Sequence, residues 1–108
     1  MKYSENLVNA TMKALENMPF NTVWNIHKRA QFENFCEIRF ENVDGSQMSI
    51  NISESTISAI AYTDVNGGYK WFGDCHMKQV TKDQYMMWLG IVTRDMIKFF
   101  ESETYALK

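Results

Sequence analysis

At 108 residues the chain is the size of one domain. It is long enough to bury a core without disulfide or metal staples and too short for two ordinary domains. Its net charge of −2 comes from 11 basic and 13 acidic residues, and neither half of the chain is basic. That balance argues against an electrostatic grip on a phosphate backbone, and it is too mild for an acidic mimic of nucleic acid.

Residues 4–18 are predicted to form a helix. Ser4 suits the N-cap and Glu5 the first turn, while Leu7, Val8, Thr11, Ala14, Leu15 and Met18 recur at helical spacing. Pro19, the single proline, stops it. From Thr22 onward the period changes to two. Residues 22–30 and 35–43 read as strands joined by residues 31–34. Asp44-Gly45 is a strong hairpin turn, leading into a strand over 47–52 and a corner at Ser53-Glu54-Ser55. Residues 56–64 read as a strand, although Ile57, Ile60 and Ala61 also fit a helical turn. Asn66-Gly67-Gly68 marks another hairpin, with a return strand over 69–79. Thr81-Lys82-Asp83-Gln84 then has the form of a capping box. It opens a helix predicted over 81–104, whose stripe holds Tyr85, Trp88, Leu89, Val92, Met96, Phe99, Phe100 and Glu103.

These elements predict a single α+β domain over 1–108: an N-terminal helix, an antiparallel meander of four to five strands and a C-terminal helix, with both helices on one sheet face. Alternation sorts the strands into two faces. The inner set is Trp24, Ile26, Cys36, Ile38, Phe40, Met48, Ile50, Ile52, Ile57, Ala59, Ala61, Trp71, Cys75 and Met77. The outer set is mainly polar, as a solvated face should be, yet it also holds Ile60, Tyr62 and Phe72.

Two cysteines, Cys36 and Cys75, are too few and too far apart for a secreted disulfide framework, and they read as free, buried thiols. Residues 1–10 carry no apolar core of a secretory leader. No apolar run approaches the roughly 18 residues that cross a bilayer. The expected location is therefore the cytoplasm, with no membrane contact. Eight methionines against four leucines suit irregular core filling, and they also suit adaptable binding surfaces.

Catalytic chemistry finds little support. His27, Cys36, Cys75 and His76 match no common zinc spacing. Adjacent Cys75 and His76 point to opposite sides of a strand, which also defeats a thiol–imidazole pair. Asp74 and His76 share the outer face, but i and i+2 side chains stand roughly 7 Å apart, long for a direct hydrogen bond. No phosphate-binding loop, nucleophile elbow or dinucleotide fingerprint is present, so no cofactor or metal is expected.

What remains is surface. Ile60, Tyr62 and Phe72 are expected to form an apolar island on the outer face, with Asp74 and His76 beside it. Such clusters mark interfaces, unless a loop or chain end covers them. Aromatics on a sheet also stack bases, but here Glu37, Glu41 and Asp74 offset Arg29, Arg39, Lys70 and Lys78. Met87 and Ile91 lie one turn apart, off the main stripe of the last helix. They are expected to pack on the first helix, or else to seat a partner or a second copy of the chain. Being small, Asn- and Met-rich, slightly acidic and without a catalytic motif, the chain resembles toxin-immunity proteins and phage-encoded inhibitors of host defence. The expected function is a non-enzymatic protein that binds and inhibits another macromolecule, with a protein as its partner. Ile60, Tyr62, Phe72, Asp74, His76, Met87 and Ile91 are the candidate contact residues. The alternatives are a small enzyme using His27, Asp74 or His76, and a single-stranded nucleic-acid binder.

Overall fold

A computed structural model describes residues 4–18, 24–29, 35–43, 45–63 and 68–107. Helix α1 (Glu5–Glu16) is followed by strands β1 (Trp24–Arg29), β2 (Cys36–Asn42), β3 (Gln47–Ile52), β4 (Thr56–Thr63) and β5 (Gly68–His76). A single 3₁₀ turn (Met77–Gln79) leads to helix α2 (Lys82–Leu107). The five strands form one antiparallel sheet in chain order, β1 to β5, so the α+β meander expected from the periodicities is present. Pro19 and the dipeptide Asn66-Gly67 lie outside the described residues, as does Asp44, whose neighbour Gly45 takes a φ of +92° in the β2–β3 turn.

Local chemistry accounts for the boundaries. The Ser4 hydroxyl accepts from the Leu7 N–H at 3.2 Å and starts α1. At the start of α2 the capping box closes in both directions. Thr81 N–H donates to Gln84 Oε1 at 2.8 Å, and Gln84 N–H donates to Thr81 Oγ1 at 3.2 Å. The corner between β3 and β4 is held by Ser53, whose hydroxyl donates to the Thr56 carbonyl at 2.9 Å and accepts from the Thr56 N–H at 3.2 Å. The helical alternative for residues 56–64 loses to ladder pairing on both sides: Ile57 faces Ile52 and Cys75, and Ala59 faces Ile50 and Gly73.

Both helices cover one face. Trp24, Ile38, Phe40, Met48, Ile50, Ile52 and Ile57 from the sheet meet Val8 and Leu15 of α1 and Tyr85, Leu89, Val92, Met96 and Phe100 of α2 in one buried cluster. The predicted stripe of α2 is thus its core face. Thr11 of α1 touches Tyr85, and Met18 touches Thr93, so the two helices run in the same direction. Thr11 donates its one proton to the Leu7 carbonyl at 2.8 Å, which leaves the Tyr85 hydroxyl to donate to Thr11. Burial pushes the Tyr85 pKa up to about 12.

The β5 strand departs from simple alternation. Ala59 pairs with Gly73 but the next residue, Ile60, pairs with Trp71, so Phe72 is an extra residue in a β-bulge. Gly73 takes a φ of +147°, a conformation that L side chains rarely adopt. The bulge exchanges two aromatic residues between faces. Phe72, expected outside, turns inward against Phe99 of α2, with ring centroids 5.8 Å apart. Trp71, expected in the core, stands outside with 57% of its surface exposed. Strand β5 also ends at His76, three residues earlier than the alternation implied, and Met77 packs on the core from the 3₁₀ turn.

Candidate functional site

The register sets the outer face in rungs that cross the sheet. One rung runs His27, Arg39, Ser49, Ile60, Trp71, and the next runs Asn25, Glu41, Gln47, Tyr62, Tyr69. On the other side of the first lies Glu37, Asn51, Ser58, Asp74. The face therefore divides into a polar, interlocked half over β2–β4 and an aromatic half along β5.

The polar half is less solvated than alternation implies. Glu37 is only 3% exposed and Ser49 is fully buried, although both point away from the helices. Long side chains cover them. Arg39 grips Glu37 with Nε to Oε1 at 3.0 Å and a second nitrogen to Oε2 at 3.1 Å, and it also donates to Gln47 Oε1. The Tyr62 ring lies beneath the Arg39 guanidinium, 4.8 Å from its centroid, and its hydroxyl donates to Glu37 Oε2 at 3.3 Å. Ser49 then donates to the Tyr62 oxygen at 3.4 Å. A bidentate arginine–carboxylate pair with added hydrogen bonds fixes these side chains in one geometry.

The aromatic half is open. Tyr69 is 70% exposed and stands two residues from Trp71 on the same face. The Trp71 indole N–H donates to Asp74 Oδ1 at 2.9 Å, which holds the ring across the strand. Ile60 and Tyr62, each directly opposite one of these aromatic residues, are half-buried and extend the surface inward. Of the residues expected on the outer face, the structure brings together Ile60, Tyr62 and Asp74. His76 stands beside them on β5, with its Nδ1 3.5 Å from Thr56 Oγ1. Phe72 is the exception, and Trp71 occupies the place assigned to it. Tyr69 joins them opposite Tyr62; uninterrupted alternation along the strand would have put it on the core face with Trp71.

The groups that a catalytic reading needs are dispersed. His27 lies on β1 and His76 on β5, the two edges of the sheet and so roughly 19 Å apart at about 4.8 Å per strand. Asp74 is engaged by Trp71. Cys36 and Cys75 are both buried and free, and burial raises both thiol pKa values. They sit on β2 and β5, roughly 14 Å apart and beyond disulfide reach. Among the described residues no cluster of histidine, cysteine and acidic side chains could hold a metal ion.

The second candidate surface is on α2. Met87 is 68% exposed and Ile91 44% exposed. The expectation that they pack on α1 is corrected: α1 meets α2 through Thr11 and Met18 on the opposite flank. No helix among the described residues is long and apolar enough to cross a membrane. No family model, curated protein or solved structure matches the chain.

Proposed function

We propose that the chain is a non-catalytic binding protein that recognises another protein, and inhibits it by occupation, in the cytoplasm. The contact surface is the outer sheet face along β4 and β5: Trp71 and Tyr69 with Ile60, Tyr62, Asp74 and His76. The observation that carries this reading is the exposed Trp71, held by Asp74 beside a still more exposed Tyr69. Leaving a large apolar ring exposed to water has a cost in solubility that a binding function offsets, and tryptophan and tyrosine dominate the energetics of protein interfaces. A ring already held in place loses little conformational freedom on binding.

A protein partner suits this surface better than a nucleic acid. Arg39, the nearest arginine on the face, is committed to Glu37 and Gln47. Lys70 points to the other side, over the Phe72 and Phe99 rings at 5.3 and 5.1 Å. Asp74 supplies negative charge beside the aromatic pair. Two free, buried thiols suit a reducing compartment.

The test compares tagged wild-type chain with Trp71→Ala and Tyr69→Ala, expressed in the source cells. Co-purifying proteins are identified by mass spectrometry and the interaction is then measured with pure components. A partner should appear with the wild type and bind Trp71→Ala at least about 30-fold more weakly, as loss of a central aromatic contact does. Stability of the variant should stay within about 0.5 kcal/mol, because the side chain is largely exposed. Undiminished partner binding by both variants would refute the assignment.

A further inference from the structure

The outward face of α2 carries a second, independent surface. Asp83, Met87, Gly90, Ile91, Arg94 and Lys98 fall within a sector of about 100° when each residue advances 100°. All but Gly90 are exposed. Gly90 sits in the helix interior, where glycine is less favourable than alanine. Among the described residues nothing requires it: a Cβ built there meets no atom of theirs within 4 Å. Beside it runs an open groove of about 470 Å³, with Met18, Thr93 and Ile97 in its lining and Arg94, Lys98 and Glu101 at its rim.

We infer that this face pairs with a second copy of the chain, α2 against α2, antiparallel, about a two-fold axis between Gly90 and Ile91. The charge order selects this arrangement. With the axis there, Asp83 stands opposite Lys98 of the second copy, and Met87 lies along the aliphatic stem of its Arg94. Ile91 meets the bare backbone of its Gly90. The symmetry repeats each contact, as an isologous interface must. A parallel pairing would instead set Asp83 on Asp83, Arg94 on Arg94, Lys98 on Lys98 and the equally exposed Glu101 on Glu101, four repulsive contacts. Neither Asp83 nor Lys98 has an ion-pair partner among the described residues, whereas Arg94 leans sideways to Asp95 at 3.5 Å. Glycine lets the two helix backbones approach closely, and the groove beside it receives the partner's Ile91.

The contact is small beside the roughly 1,600 Å² of a permanent interface, so the association is weak, with a Kd on the order of 10–1,000 μM. Sedimentation of the full chain from 10 μM to about 1 mM tests it. The weight-average mass should rise with concentration towards twice that of the monomer. Asp83→Lys alone and Lys98→Asp alone should each weaken association about tenfold or more, because each creates two like-charge contacts. The double swap, Asp83→Lys with Lys98→Asp, should restore it to within about twofold. Gly90→Leu, whose Cβ meets no described atom within 4 Å, should match or exceed the wild-type thermal midpoint, yet weaken association about tenfold by holding the helices apart. Trp71→Ala, on the other face, should leave self-association unchanged. A chain monomeric at 1 mM, a double swap without rescue, or a Gly90→Leu variant that associates as the wild type does would each overturn the inference.

Discussion

Replacing Gly73 by alanine tests the bulge on which the candidate site depends. In an ordinary strand the change would stabilise the protein, because glycine surrenders more backbone freedom on folding, by roughly 0.5–1 kcal/mol. Gly73 is not in an ordinary strand conformation: its φ is +147°. Holding an L residue in that region costs on the order of 1–3 kcal/mol. Sterics add little, since the new Cβ would sit 3.6 Å from Trp88 Nε1, an ordinary van der Waals contact. Setting the strain against the entropic gain gives a net loss of up to about 2.5 kcal/mol, with a central value of about 1 kcal/mol. For a domain of this size the central value is a fall in Tm of roughly 4–8 °C. Urea unfolding followed by circular dichroism measures it, with an unchanged m-value expected. Because the two conformations predict opposite signs, a Gly73→Ala variant as stable as wild type, or more stable, refutes the bulge as described.

Two further predictions concern groups buried on opposite faces. Tyr85 is 1% exposed and its pKa is raised to about 12, so the folded state holds a proton that the unfolded chain releases near pH 10. Its contribution is therefore complete below pH 10 and lost between pH 10 and 12, about 2–3 kcal/mol in all. Tyr85→Phe should flatten the stability profile across that window, measured by urea midpoints; an unchanged slope counts against the burial. On the outer face, Glu37→Ala leaves the Arg39 guanidinium, itself only 13% exposed, without its carboxylate and should cost about 3 kcal/mol. Lys28→Ala breaks the exposed Lys28–Glu5 pair at 3.4 Å and should cost under about 0.5 kcal/mol by the same assay. Equal losses would show that the Glu37 pair is no more buried than the surface one.

Much of the fold was legible because local signals agreed with one another. Thr81 and Gln84 mark the start of α2 from sequence alone, and the apolar stripe that follows is the one the core buries. The strand over 47–52 has the bounds expected, since alternation and the turns on either side coincide. The candidate site was read less well, for a specific reason. Alternation assigns faces only while one residue opposes one residue, and the extra residue at Phe72 breaks that rule for the segment that matters most. An isolated glycine inside a strand pattern, Gly73, was the available sign. The burial of Glu37 and Ser49 had no such sign. It depends on Tyr62 reaching back across the sheet from a strand 25 residues away from Glu37, and period-two reasoning says which side a residue faces but not what lies over it.

The bulge also bears on how the protein keeps to itself at its margin. Strand β5 is the last in the sheet, and no strand among the described residues pairs with its outer edge. A straight, regular edge of that kind offers a row of backbone donors and acceptors on which a foreign strand can grow. At Phe72 and Gly73 the row loses its spacing, and a chain attempting to add there would run out of register part-way along. The same insertion that turns Trp71 to the outside therefore blunts the edge on which that tryptophan sits. Contact with the edge is left to side chains, which discriminate among partners, and denied to backbone pairing, which does not.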